Sequence, residues 1–168
     1  MDVVCSIDNN YVQHCAVMLT SLFENNRSGS HAIHLLTEGL TSENRKLIEE
    51  LVFSYNGRFF YYLIDSEALK SCPIKATDHL TIATYYRLLM ADILPKSLDR
   101  ILYLDCDIII NHSIEKLWKT PMSNYALAAV EEMGCSVPDV YERLQYDSCY
   151  GYFNAGVLLV NLKWWREH

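Results

Sequence analysis

The sequence predicts an α/β fold, a parallel sheet whose strands are joined by crossover helices. Short apolar runs alternate with stretches of helical period through the first third of the chain. The runs are rich in branched and aromatic residues, as buried strands are. The 168 residues are 51% hydrophobic and 21% charged, enough for one domain with its own core.

The elements follow in order. Val3 to Ile7 reads as a buried strand closed by the polar turn Asp8-Asn9-Asn10. Val12, Cys15, Ala16, Leu19, Leu22 and Phe23 then fall at helical spacing, and Asn25 to Gly29 ends the helix. Ala32 to Leu36 is a second strand. Thr41-Ser42-Glu43 supplies a capping hydroxyl and a first-turn acid for a helix showing Leu47, Ile48, Leu51 and Val52 on one face. Phe59 to Ile64 is a third strand, and Leu69 to His79 reads as a loop. Ile82 to Leu94 is expected to be a helix stopped by Pro95, and Arg100 to Ile110 a long apolar strand interrupted by two acids. Ala126 to Val130 and Tyr152 to Val160 complete the set of strands. The last residues, Asn161 to His168, resemble a helix being entered without a stop signal, so the chain is expected to be a C-terminally truncated piece of a longer protein.

Composition excludes several classes. A net charge of -7 opposes unaided binding to nucleic acid or an anionic membrane. No window reaches the ~20 apolar residues that cross a bilayer. The six cysteines show no C-x-x-C pair, and Cys5 and Cys106 sit inside apolar runs, which suits reduced core thiols and a cytoplasmic setting. No G-x-S-x-G elbow or glycine-rich phosphate loop is present.

The sharpest chemical feature is Leu104-Asp105-Cys106-Asp107-Ile108. On a strand, residues 105 and 107 share a face. Two unpaired carboxylates in an apolar run repel, nothing basic lies within the run, and a hard divalent cation such as Mg²⁺ or Mn²⁺ would resolve the conflict. It would also join an acidic protein to a diphosphate. The plainer alternative is a turn cap beside a solvated acid. Asp8, Asn10 and Tyr11, after the first strand, either bind and stack on a nucleoside or simply cap the next helix. Arg87, alone on an apolar helix, needs a carboxylate or a phosphate partner. Asn154, among small neighbours in Asn154-Ala155-Gly156, either meets a ligand or forms a turn.

As a set, Val3 to Tyr11, Thr84 to Arg87, Leu102 to Asp107 and Tyr152 to Val157 resemble glycosyltransferase family 8, in the order seen in bacterial lipopolysaccharide galactosyl- and glucosyltransferases; glycogenin and galactinol synthase are more distant relatives. The resemblance runs the length of the chain. It implies a GT-A fold, Rossmann-like, with a mostly parallel sheet and helices on both faces. Residues 1–168 would be the N-terminal, nucleotide-sugar-binding part. It further implies a UDP-sugar donor, UDP-glucose or UDP-galactose, Mn²⁺ (or Mg²⁺), and transfer of a hexose with retention to a saccharide or glycolipid acceptor. Asp105 and Asp107 match the metal-binding D-x-D, whose first acid also meets the donor. Asp8, Asn10 and Tyr11 match the uridine-binding start, Arg87 a donor-contacting arginine and Asn154 a donor-facing asparagine. The family's later acid-Gln-acid segment and metal-binding histidine have no counterpart here, and His168 does not stand in that context. Acceptor contacts are expected from Leu69–His79 and Met133–Tyr150. The expected location is the cytoplasm, including the inner face of the membrane, with peripheral attachment through a C-terminal part beyond this chain. Competing readings are a haloacid-dehalogenase-like phosphotransferase, a non-catalytic nucleotide-binding module and, last, a glycosidase.

Overall fold

A computed structural model describes residues 1–69, 72, 82–132 and 137–168. The chain runs β1 (Asp2–Ser6), α1 (Val12–Asn25), β2 (Ala32–Thr37), α2 (Ser42–Ser54), β3 (Arg58–Leu63), α3 (Met90–Ile93), β4 (Arg100–Leu104), α4 (Glu115–Trp118), β5 (Leu127–Glu131), α5 (Val137–Leu144), β6 (Phe153–Asn161) and α6 (Leu162–Glu167). The expected loop over Leu69–His79 lies almost entirely outside the described residues.

The strands form one sheet in the order β3-β2-β1-β4-β6-β5. β1 to β4 are mutually parallel, and β6 pairs antiparallel with both β4 and β5, so it alone of the described strands is reversed. Helices cover both faces. On one, Val3, Cys5, Leu35 and Leu102 pack beneath α1, whose Cys15, Met18, Leu19, Leu22 and Phe23 repeat at helical spacing and are fully buried. On the other, the alternate residues Val4, Leu36, Ile101 and Tyr103 pack beneath Tyr86, Met90, Leu94 and Leu162. Alternation of side chains along each strand feeds both layers, which is why β1 and β2 carry almost no exposed residue.

Capping follows the sequence at α2, where the Thr41 hydroxyl accepts from the Asn44 amide at 3.2 Å. That helix buries only Ile48 and Val52 completely; Leu47, expected on the same face, is 46% exposed. Three further expectations are corrected. Ile82 to Leu94 is not one α-helix: Ile82–Leu89 is wound as a 3₁₀-helix and only Met90–Ile93 is α, with Leu94 extended ahead of Pro95. The strand begun at Arg100 ends at Leu104, not Ile110. Finally, α6 is a seated helix. Arg166 donates to the carbonyls of Ala91, Leu94, Pro95 and Leu98 at 2.7–3.1 Å, riveting α6 to the α3–β4 corner.

Candidate functional site

In open α/β sheets, ligands gather beyond the carboxyl ends of the strands, where the strand order reverses. Here the reversal falls between β1 and β4: β2 and β3 extend the sheet to one side of β1, and β4 lies on the other. A cavity of ≈ 140 Å³ opens there, lined among others by Asp8, Tyr11, Arg87, Tyr103, Asp105 and Asp107.

Asp8 follows β1 directly. Its Oδ1 accepts from the Asn10 and Tyr11 amides at 2.8 and 3.2 Å, capping the 3₁₀ turn Asn9–Tyr11. The capping and ligand-facing readings are therefore compatible at Asp8, which does the first while lining the cavity. Tyr11 lines it as well. Asn10 is exposed and lies outside the lining.

The two acids reach the cavity by a different route from strand alternation. Asp105 is the first residue beyond β4, its amide donating to the Gly156 carbonyl at 2.8 Å, and Asp107 stands in the turn that follows. The turn, rather than a shared strand face, brings both to one cavity. Asp105 is also not unpaired: an arginine from another element neutralises it. Arg87 Nη2 donates to Asp105 Oδ1 at 2.9 Å, and the Tyr103 hydroxyl donates to the same oxygen at 3.0 Å. Arg87 is fixed in turn by the carbonyls of Thr84 (2.8 Å from Nε) and Ala155, and its guanidinium lies 4.5 Å from the centre of the Tyr103 ring. Burial holds the Tyr103 phenol far above its usual pKa, so it stays a donor. Asp107 is exposed and forms no ion pair among the described residues.

Cys106, between the acids, turns inward instead. It is 8% exposed, and burial, with Cys5 and then the two aspartates as lesser causes, pushes its thiol up to about 12. It is a core residue, as the sequence suggests.

Asn154 lies outside the lining and makes the turn expected of the plainer reading: its Oδ1 accepts from the Gly156 amide at 2.8 Å, and its Nδ2 donates to Glu132 at 3.3 Å. It nevertheless adjoins the site through a bulge. Ala128 pairs with Leu159, but Val130 pairs with Asn154, so Ala155-Gly156-Val157 swings out of the β5 ladder. Two carbonyls of this bulge meet Arg87 and the Asp105 amide. Gly156 is required there, because a Cβ would stand 2.9 Å from Asp105 Oδ2 and 3.0 Å from Asn154 Oδ1. Sequence reasoning missed Tyr103, Gly156 and the Ala155 carbonyl as parts of the site. A tyrosine inside an aliphatic strand, and a glycine inside another, were the available signals.

A divalent cation fits this donor set in part. Mg²⁺ and Mn²⁺ take oxygen ligands and are often held by one or two carboxylates plus substrate phosphates. Asp105 Oδ2 and the Asp107 carboxylate are the protein oxygens that suit it, and no group of three or more His, Cys, Asp or Glu side chains converges among the described residues.

This sheet, with its site at the β1/β4 crevice, has the GT-A architecture of glycosyltransferases. The galactosyltransferase LgtC, solved in complex with donor and acceptor sugar analogues, superposes with a TM-score of 0.91 at 29% identity, over 100% of this chain and 60% of that one. Mouse xyloside xylosyltransferase 1 shares the fold at a TM-score of 0.68 and 16% identity, over 99% of this chain and 68% of that one. The model of glycosyl transferase family 8 matches residues 2–168, and the chain belongs to that family. It is similar to an Escherichia coli lipopolysaccharide 1,2-glucosyltransferase (35% identical, covering 99% of this chain and 49% of the relative) and to a Salmonella typhimurium lipopolysaccharide 1,3-galactosyltransferase (33%, covering 98% and 49%). The general stress protein A of Bacillus subtilis is 28% identical over 99% of this chain and 58% of its own. The chain thus spans about half the length of the curated relatives it matches. Family membership sets aside the phosphotransferase and glycosidase readings.

Proposed function

We propose that the chain is the donor-binding part of a retaining hexosyltransferase. The donor is UDP-glucose or UDP-galactose, and the acceptor is a saccharide or glycolipid of a surface glycan such as lipopolysaccharide. Mn²⁺ (or Mg²⁺) is held by Asp105 and Asp107. The observation that carries the reading is the convergence of Asp8, Tyr11, Arg87, Asp105 and Asp107 on one cavity at the crevice of a GT-A sheet. The relatives named above, whose printed activities are transfers of glucose and galactose in lipopolysaccharide, supply the substrate class.

Each residue has a task that its geometry permits. Asp8, fixed by two amides on Oδ1, keeps Oδ2 for a donor group of the base or ribose. Tyr11 offers a ring face for the base. Arg87 uses three of its five N–H groups on protein oxygens and retains two for the donor. Asn154, beside Gly156, borders the place of the donor sugar. A bound cation supplies charge neutralisation to the diphosphate leaving group, which a chain of net charge -7 would otherwise repel. As the bond from the anomeric carbon to the diphosphate oxygen breaks, an acceptor hydroxyl attacks from the same face. That route suits a cavity whose carboxylates are all committed: Asp8 to backbone amides, Asp105 to Arg87 and Tyr103, and Asp107 to the cation. The setting that fits this chemistry is the cytoplasmic side of a membrane. No helix among the described residues is long and apolar enough to cross one.

Titration of UDP by calorimetry, with and without Mn²⁺, tests the proposal. UDP should bind only with Mn²⁺, and UDP-glucose or UDP-galactose should then be turned over. UDP binding that ignores Mn²⁺, or no binding at all, sinks the assignment. Mn²⁺-dependent binding without turnover would instead leave the nucleotide-binding module as the correct reading of this chain.

A further inference from the structure

A lone aspartate carboxylate is close to two-fold symmetric about its last torsion and presents either oxygen to a ligand. At Asp105 that symmetry is broken from two sides. Oδ1 receives the Tyr103 hydroxyl at 3.0 Å and Arg87 Nη2 at 2.9 Å. Oδ2 lies over Gly156, in space that a single Cβ would crowd to 2.9 Å. Tyr103 is well placed to hold one end. It is 1% exposed, sits in β4 opposite Val4 of β1 and Leu158 of β6, and has the Arg87 guanidinium 4.5 Å from its ring centre. Its hydroxyl therefore has little freedom to follow a wandering carboxylate.

We infer that Tyr103 is a positioning residue: with Arg87 it pins Oδ1 of Asp105 so that Oδ2, given room by Gly156, is the oxygen offered to the cation and diphosphate. The inference rests on the UDP–metal reading above. Partners of this kind, which touch a ligating group and not the metal, change metal affinity by about 10–100-fold when removed.

Tyr103→Phe isolates the effect, since it keeps the buried ring and its contact with Arg87 and removes only the hydroxyl. Equilibrium dialysis with radiolabelled UDP gives the Mn²⁺ concentration for half-maximal UDP binding in the wild-type chain and the variant. That concentration should rise about 10-fold in Tyr103→Phe. Affinity for uridine, which has no diphosphate, and the melting temperature should stay close to wild type. Gly156→Ala, which leaves the hydroxyl in place and crowds Oδ2 instead, should raise the Mn²⁺ requirement as well. It tests the same geometry should Tyr103→Phe fold poorly. An unchanged Mn²⁺ requirement in either folded variant overturns the positioning role, as does an equal loss of uridine binding, which would mark a structural defect. If the wild-type chain itself shows no Mn²⁺-dependent UDP binding, the donor reading fails and the inference falls with it.

Discussion

Asp105 and Asp107 carry the same charge two positions apart, yet their surroundings assign them different energetic roles. Asp107 is exposed and unpaired among the described residues, so removing its carboxylate disturbs nothing that folding relies on. Asp107→Ala should abolish Mn²⁺-dependent UDP binding while moving unfolding free energy by no more than about 0.5 kcal/mol. Undiminished UDP affinity in that variant would remove Asp107 from the site. Asp105 differs, because its partners are buried: the Arg87 side chain is 13% exposed and Tyr103 1%. Asp105→Ala strands a guanidinium and a phenol hydroxyl, and should cost about 1–3 kcal/mol of stability in addition to binding. Urea unfolding of the two variants side by side would show the asymmetry, and equal midpoints would refute it. The sequence displays two equivalent acids; the difference between them arises from Arg87, 18 residues upstream, which only the fold brings near.

Elements with a strong period were legible, and those ended by tertiary contacts were not. The βαβα alternation from β1 to β3 follows from apolar spacing, because each element there buries the face its own pattern marks. β4 shows the opposite case. Ile108, Ile109 and Ile110 continue its apolar run, but the ladders with β1 and β6 end at Tyr103 and Leu104. Beyond them the backbone bonds to α1 instead: Ile110 donates to Ser21 Oγ at 2.9 Å and accepts from Asn25 Nδ2 at 2.8 Å. No local pattern distinguishes an isoleucine facing a sheet from one tucked against a helix. The 3₁₀ winding of Ile82–Leu89 has no visible signal either, since apolar periods of 3.0 and 3.6 barely diverge over eight residues. At the other end of the chain, α6 is too short to be stable alone, and Arg166 is what seats it. Arg166→Ala frees four carbonyls at the α3–β4 corner and should lower stability by about 1–3 kcal/mol. Limited proteolysis should then release the C-terminal residues first. Wild-type resistance in the variant would mean that Leu162 and the tryptophans hold α6 without it.

Across the whole molecule, β1 separates two polar centres with different duties. Asp8, beyond its carboxyl end, lines the donor cavity, while Asp2, at its amino end, serves the sheet alone. There the His34 ring is buried in β2, stacked 4.8 Å from Phe60, with Nε2 3.2 Å from Asp2 Oδ1 and Nδ1 3.0 Å from the Tyr62 hydroxyl. The contact ties β1, β2 and β3 together by side chains as well as by ladders. The hydrogen bond from His34 is the main reason that the Asp2 carboxyl titrates below its usual value. The sign of the consequence is fixed. A carboxyl with a depressed folded pKa contributes stability above its unfolded pKa of about 3.9 and loses it as pH falls through the folded value. Wild type should therefore be more resistant to urea than Asp2→Asn at pH 6, with the gap closing by about pH 3 as Asp2 takes up a proton. A gap of the same size at both values would show that the Asp2 charge is not what stabilises this end. Because the donor cavity lies at the far end of β1, Mn²⁺-dependent UDP affinity at pH 7 should be the same in Asp2→Asn as in wild type. A loss of binding there would mean that the two ends of the sheet are coupled through β1, and that the site depends on more of the molecule than the residues around it.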